Sequence, residues 1–269
     1  MGSILVGVDG SRSAGWAQDW AIGLARLTGA ELVLAAAIGG EEVDEAQRSM
    51  RADWAKPTEK AGLAFRTVVR PGDPRQLLCD LAVEESAELV VVGAGHERWF
   101  PALHLGSASH YLAHHLDCPL AIIPADRGDF DAHHLVVGLD GSPGSVAACA
   151  WAAAMATTAV GTVTAVHAWQ RSGSRSHSVA LALNCHEDAL CAVTVWAQPL
   201  RDAGVLSDTQ AVEAHPADAL AKALADTGSS LLVIGTRGAG GFRQLRLGSA
   251  ALRVLQAVHV PTVLVPPGG

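Results

Sequence analysis

Lysine occurs at only three positions and tyrosine at one, and no two cysteines form a C-x-x-C pair. Acidic residues outnumber basic ones by 27 to 19, for a formal net charge of −8. That sign excludes a surface built to hold nucleic acid, which needs clustered positive charge. The single tyrosine adds little to a base-stacking platform. The five cysteines, Cys79, Cys118, Cys149, Cys185 and Cys191, are odd in number and lack metal or redox spacing. They read as free thiols of a reducing, cytoplasmic compartment. No apolar run approaches the roughly 18 residues of a membrane span, so no membrane insertion is expected. The opening Met1–Asp9 is too short and lacks the basic start of a secretory leader. Val6 stands where a myristoylation signal needs Ser or Thr. Several catalytic signatures are missing too: no Gly-Lys-Ser/Thr phosphate loop, no G-x-S-x-G nucleophile elbow and no H-E-x-x-H metal motif.

What is present is hydrophobic and repeated. Of 269 residues, 49% are hydrophobic, enough for substantial cores and two domains of ordinary size. Ile4-Leu5-Val6-Gly7-Val8-Asp9-Gly10-Ser11 returns 131 residues later as Leu135-Val136-Val137-Gly138-Leu139-Asp140-Gly141-Ser142. Trp20 and Trp151 keep that offset, as do the apolar runs Glu31–Ile38 and Thr162–Trp169. The chain is an internal duplication.

In the first copy the pattern predicts strands at 4–8, 31–38, 64–69, 88–92 and 120–123. Helices are predicted at 13–28, about 41–61, 74–86 and 107–116. The second copy follows suit and ends in Thr162–Trp169, Leu231–Ile234 and Thr262–Val265 among its strands. Pro74 and Pro216 stand at helix starts, where a missing N–H costs nothing. Strands alternating with helices give parallel sheets with right-handed crossovers. The fold expected is α/β, two tandem doubly wound domains over 1–127 and 131–269, joined by the polar Ala125–His134.

The stretch around which each copy is organised lies near its end. Leu231-Leu232-Val233-Ile234 reads as a buried strand. It runs into Gly235-Thr236-Arg237-Gly238, and after a loop Leu247-Gly248-Ser249 opens an apolar periodic helix that stops before Pro261. Glycine permits close approach to a ligand, and the N–H groups of a helix start attract anions. Ser249 is expected to cap that helix. Strand, glycine loop and helix start form a phosphate cradle with the spacing G-x2-G-x9-G-S. The dinucleotide G-x-G-x-x-G is not matched, because the third glycine lies too far away.

This pattern, present twice, resembles the ATP-binding motif of the universal stress protein family, and the resemblance covers essentially the whole chain. It implies a Rossmann-like fold of the adenine nucleotide alpha hydrolase-like kind and an ATP-binding regulatory, stress-response protein. Mg²⁺ would be carried on the phosphates. In the second copy it implies that Asp140 and the backbone of Ala168 contact adenine or ribose. Gly235 would approach the ribose, while Gly238, Gly248 and Ser249 hold the phosphates. The corresponding residues of the first copy are Asp9, Ala37, Gly93, Gly106 and Ser107. There the middle glycine is replaced by His96, followed by Glu97, so ATP binding is expected to be weak or absent. The proline-bracketed last strands imply an internal pseudo-dimer of the two copies, with a homodimer also open.

Other readings stay open beside this one. An adenylate-forming or ATP-pyrophosphatase enzyme of the same fold would carry an S-G-G-x-D-S-like loop after its first strand. Asp9-Gly10-Ser11 and Asp140-Gly141-Ser142 are shorter and different. An interaction module without ATP, or a cyclic AMP binder, is the further alternative. Asp140 before Gly-Ser also suits a turn or helix cap. Arg237, Arg243 and Arg246 flank the loop, each a solvated arginine or a phosphate partner. Arg171–His177 reads as a loop. His110 and His114 share a helix face, a spacing open to a metal, with no H-E-x-x-H motif and no nearby cysteine pair to support one. No catalytic residue is identifiable.

Overall fold

Runs of four or five branched apolar residues form the interior strands, and their side chains are covered on both faces. Ile4, Leu5, Val6, Leu135, Val136, Val137, Leu231, Leu232 and Val233 are all fully buried, as a central parallel strand requires. The computed structural model describes residues 2–39, 53–95, 106–170, 185–238 and 247–268. Its contacts divide the chain into two units, Met1–Phe130 and Asp131–Gly269.

The first unit runs β1 (Ser3–Gly7), α1 (Arg12–Thr28), β2 (Glu31–Ile38), α2 (Lys56–Ala61), β3 (Phe65–Pro71), α3 (Pro74–Glu84), β4 (Leu89–Gly93), α4 (Ser107–His115) and β5 (Leu120–Ile123). Its strands lie in the order β3-β2-β1-β4-β5, every pair parallel. The second unit runs β6 (His134–Gly138), α5 (Pro143–Ala159), β7 (Thr162–Trp169), α6 (His186–Trp196), α7 (Gln198–Asp202), β8 (Leu206–Glu213), α8 (Pro216–Thr227), β9 (Leu231–Gly235), α9 (Ser249–Ala257) and β10 (Thr262–Val265). Its order is β8-β7-β6-β9-β10, again parallel throughout. Both units are thus doubly wound. The connections change direction between β1 and β4 and between β6 and β9, which opens a crevice at the carboxyl ends of those strands.

Local chemistry fixes the elements beside each crevice. Ser11 and Ser142 cap α1 and α5, accepting from the N–H of Ala14 and Ser145 at 3.2 Å each. Pro74, Pro143 and Pro216 occupy the first helical position of their helices. Gly10 and Gly141 both have φ +76°, in the left-handed region, and each lies under a tryptophan. A β-carbon there would stand 2.7 Å from Trp54 Nε1 and 2.6 Å from Trp196 Cζ2. The two tryptophans occupy equivalent places although they are 142 residues apart rather than 131. The stretch from the end of β7 to Trp196 is longer than that from the end of β2 to Trp54 by the difference.

Two expectations are corrected in detail, and a third lies partly outside the described residues. The helix predicted over 41–61 spans Lys56–Ala61 within the described residues, and residues 40–52 lie outside them. The linker ends one residue early, because His134 already pairs with Thr162 in β6 and β7. Nor is the linker simply a polar spacer. Phe130 packs edge-on against buried Trp20, with ring centroids 5.1 Å apart, and Gly23 of α1 leaves room for its Cβ. Trp20 is a core residue, while Trp151 is half-buried.

Candidate functional site

In the second unit the carboxyl ends of β6, β7 and β9 and the first turn of α9 enclose a cleft of about 540 Å³. Of the predicted residues, Asp140, Ala168, Gly235 and Gly238 line it. Gly248 and Ser249 lie at the start of α9, whose next residues, Ala250 and Ala251, also line it. Residues four strands and helices apart in sequence therefore converge because each sits at the same end of a parallel element.

The three glycines of the loop are small for three different reasons. A β-carbon on Gly235 would stand 2.5 Å from the carbonyl carbon of Gly144 and 2.9 Å from the Ser145 nitrogen. Its smoothness lets β9 pass the first turn of α5, so the fold itself demands it. On Gly238 a β-carbon would stand 2.6 Å from Asp140 Oδ2, so this glycine makes room for the carboxylate. On Gly248 the nearest described atom would be Thr236 O at 3.5 Å, ordinary contact, and its φ is −77°. Among the described residues, nothing in the protein requires Gly248 to lack a side chain. What its bareness leaves clear is the approach to the start of α9.

Gly248 itself, rather than Ser249, is the N-cap of α9, and no side chain caps the helix. Ser249 is the first helical residue. The Gly248 N–H donates to Thr236 O at 2.8 Å, closing the loop, and the first helical bond runs from Leu252 N–H to Gly248 O at 3.0 Å. The N–H groups of Ser249, Ala250 and Ala251 precede that bond, and with the helix dipole they favour an anion.

Asp140 is not the helix cap either. Its Oδ1 accepts from the Ser142 N–H at 3.0 Å, fixing the turn, while Ser142 does the capping. Behind this turn lies His167, only 7% exposed. Its Nδ1 is 2.8 Å from Leu139 O, so the proton sits on Nδ1 and the carbonyl accepts it. Nε2 is buried without a hydrogen-bond partner among the described residues, and the ring meets Trp196 edge to face at 5.0 Å. Burial holds this imidazole below its usual pKa, against the opposing pull of the Leu139 hydrogen bond and the Asp140 charge. The unfolded chain therefore takes up a proton as the pH falls through about 6.5, which the folded chain resists, and stability is lost in that range. His167→Asn is expected to flatten the fall in the second unit's thermal stability between about pH 7 and 5, measured against the unsubstituted chain.

Arg237 also lines the cleft. Its carbonyl accepts from Ser142 Oγ at 3.0 Å, and its Nε is buried with no hydrogen-bond partner among the described residues. Arg171, Arg175, Arg243 and Arg246 lie outside the described residues.

The first unit has the matching cleft, of about 910 Å³, lined by Asp9, Ala37, Gly93, Gly106 and Ser107 among others. Asp9 Oδ1 accepts from the Ser11 N–H at 2.9 Å, as Asp140 does in the second unit. The loop is built differently. Ser13 replaces Gly144 and presses on Gly93, and its Oγ accepts from the Gly95 N–H at 3.2 Å. Gly106 lies against the loop itself, where a β-carbon would be 3.1 Å from Gly95 Cα and 3.2 Å from Ala94 O. Here the third glycine is tightly packed by the protein. His96 and Glu97 lie outside the described residues.

Sequence reasoning missed Trp54, Trp196, His167 and the Ser13–Gly95 contact. The Asp-Gly turn at each strand end is the only sequence signal pointing to the tryptophans. His110 and His114 do face each other, with centroids 4.6 Å apart, but His114 Nδ1 bonds His110 O at 2.9 Å. Among the described residues, no group of three or more His, Cys, Asp or Glu could hold a metal ion. None of the five cysteines forms a disulfide. Burial pushes the thiols of Cys118 and Cys149 up to about 11. No described helix is long and apolar enough to cross a membrane.

The model of the universal stress protein family matches residues 1–124 and again 132–266. A universal stress protein of Mycolicibacterium smegmatis is 28% identical over 295 aligned residues, covering 98% of this chain and 97% of its own. Universal stress protein Rv2623 of Mycobacterium tuberculosis is 29% identical over 291, covering 97% and 95%. A solved universal stress protein from Archaeoglobus fulgidus shares the fold, with TM-score 0.78 at 18% identity over 99% of this chain and 98% of its own.

Proposed function

The chain belongs to the universal stress protein family, and from that premise we propose that its second unit binds an adenine nucleotide, ATP with Mg²⁺ on its phosphates, as a regulatory protein rather than an enzyme. The observation that carries this reading is Gly248, whose missing side chain serves no neighbour among the described residues and stands at the start of α9, beside the cleft-lining Ala250 and Ala251. The fit is chemical as well as spatial. Phosphate oxygens suit the N–H groups before the first bond of α9, and the flat apolar wall of Val166 and Ala168 suits an adenine ring. Asp140 offers carboxylate oxygens to ribose hydroxyls or the adenine amine.

Among the described residues, Asp140 and Arg237 are the charged ones that line the cleft. Neither is placed as a general base, since Asp140 already holds the Ser142 N–H and arginine keeps its proton. Bound ATP would therefore persist and act through the shape of the surface around it, with slow hydrolysis at most. The test is mass spectrometry of ligand released from purified protein, joined to calorimetric titration with ATP and Mg²⁺. Adenine nucleotide released, and ATP taken up at the second cleft without rapid turnover, is the expected result. Fast consumption of ATP with an acceptor would point to the adenylate-forming alternative. Preference for cyclic AMP over ATP in the same titration would replace the ligand while keeping the site.

A further inference from the structure

The two clefts of this chain differ by a paired exchange that bears on the charge of what they hold. In the second unit the first turn of α5 carries Gly144 and the loop carries Arg237. In the first unit the helix carries Ser13 and the loop carries Gly95. The positions face each other in both. A β-carbon on Gly144 would stand 2.8 Å from Arg237 O, and that carbonyl is held by Ser142 Oγ at 3.0 Å. Ser13 instead reaches the loop with its hydroxyl, and Gly95 follows a path with φ +105° that a side chain would strain. One arrangement keeps the helix bare and anchors an arginine at the cleft; the other spends the same space on a neutral hydroxyl.

One atom of this half-buried arginine's guanidinium has an unmet requirement among the described residues. Arg237 lines the cleft, and its Nε is buried with no hydrogen-bond partner among the described residues. A buried, charged donor left without an acceptor is costly, and a charged acceptor satisfies it best. Among the described residues the cleft supplies Asp140 as its one lining carboxylate, and Asp140 Oδ2 lies against Gly238 while Oδ1 holds the turn. A phosphoryl oxygen of a bound ligand meets the requirement and faces the dipole of α9 at the same time.

We propose that Arg237 is the specificity-determining residue of the second cleft, selecting phosphorylated over unphosphorylated adenine ligands. The inference rests on the nucleotide-binding reading above and adds the residue that discriminates. It predicts a differential effect that a merely structural arginine would not produce.

The test is calorimetric titration of the full chain with AMP and, separately, with adenosine, before and after Arg237→Gln, Arg237→Met and Arg237→Lys. AMP binding at the second cleft is identified as the component lost in Gly248→Val, and adenosine binding there as the component that AMP displaces in competition. The Gln and Met variants are expected to weaken AMP by roughly 10- to 100-fold, the range for one charge-assisted contact. Adenosine should change by less than about twofold, and Lys should restore part of the AMP affinity as a point charge. Equal weakening of AMP and adenosine, or undiminished AMP binding in the Gln and Met variants, overturns the proposal while leaving the nucleotide site in place. If the unsubstituted chain binds neither ligand at that cleft, the nucleotide reading fails, and this inference falls with it.

Discussion

Gly235→Val is expected to unfold the second unit or cost it about 3 kcal/mol or more, the upper end of what overpacking costs. The reason lies in which atoms would have to move. The new β-carbon would meet the carbonyl carbon of Gly144 at 2.5 Å and the Ser145 nitrogen at 2.9 Å. These are backbone atoms of the first turn of α5, and Ser142 already holds that turn through the Ser145 N–H. On the other side β9 is fixed by its ladders to β6 and β10. Neither partner can yield as a flexible side chain would. Urea unfolding followed by tryptophan fluorescence checks this. A variant that unfolds with the midpoint of the unsubstituted chain would show that β9 and α5 are not packed so closely.

Gly248→Val is expected to have the opposite profile, with binding lost and the fold kept. A β-carbon here would find ordinary contact at 3.5 Å from Thr236 O, and its φ of −77° is open to any residue. The change from glycine to valine at an N-cap costs about 1 kcal/mol at most, a shift of a few degrees in Tm for a domain of this size. The side chain would, however, stand before the open N–H groups of α9. ATP affinity at the second cleft is expected to fall at least roughly 100-fold, because a ligand phosphate and two methyl groups cannot share the place and the anion contacts are lost together. Calorimetry beside thermal unfolding reads both halves of the prediction. Gly106→Val in the first unit should differ, since its β-carbon would press on Gly95 and Ala94 at 3.1 and 3.2 Å. The same motif position is thus permissive in one copy and packed in the other.

Much of this organisation is legible in the sequence, for reasons particular residues make plain. Ile4–Val6 and Leu231–Ile234 announce buried strands because two-sided burial removes polar alternation. Asp140, Ala168, Gly235 and Gly238 come together because each lies at the carboxyl end of a strand in one parallel sheet, which strands alternating with helices predict. The purpose of each glycine is less readable. Gly235 and Gly248 look alike in a motif, yet one faces a helix backbone and the other an open approach, and only the fold distinguishes them. Ser249 looks like a cap because serine favours that position, but Gly248 takes it when its own N–H closes the loop onto Thr236. Trp54 and Trp196 escape a search at offset 131 because the intervening segment differs in length. Phe130 looks like linker because its partners, Trp20 and Gly23, are a hundred residues earlier.

The most direct measurement is a crystal structure of the full chain grown with excess ATP and Mg²⁺. Phosphate oxygens within hydrogen-bonding distance of the Ser249 and Ala250 N–H groups, with adenine against Val166 and Ala168, is the result expected. Nucleotide seated elsewhere, with the second cleft filled by the protein's own side chains, would contradict the account.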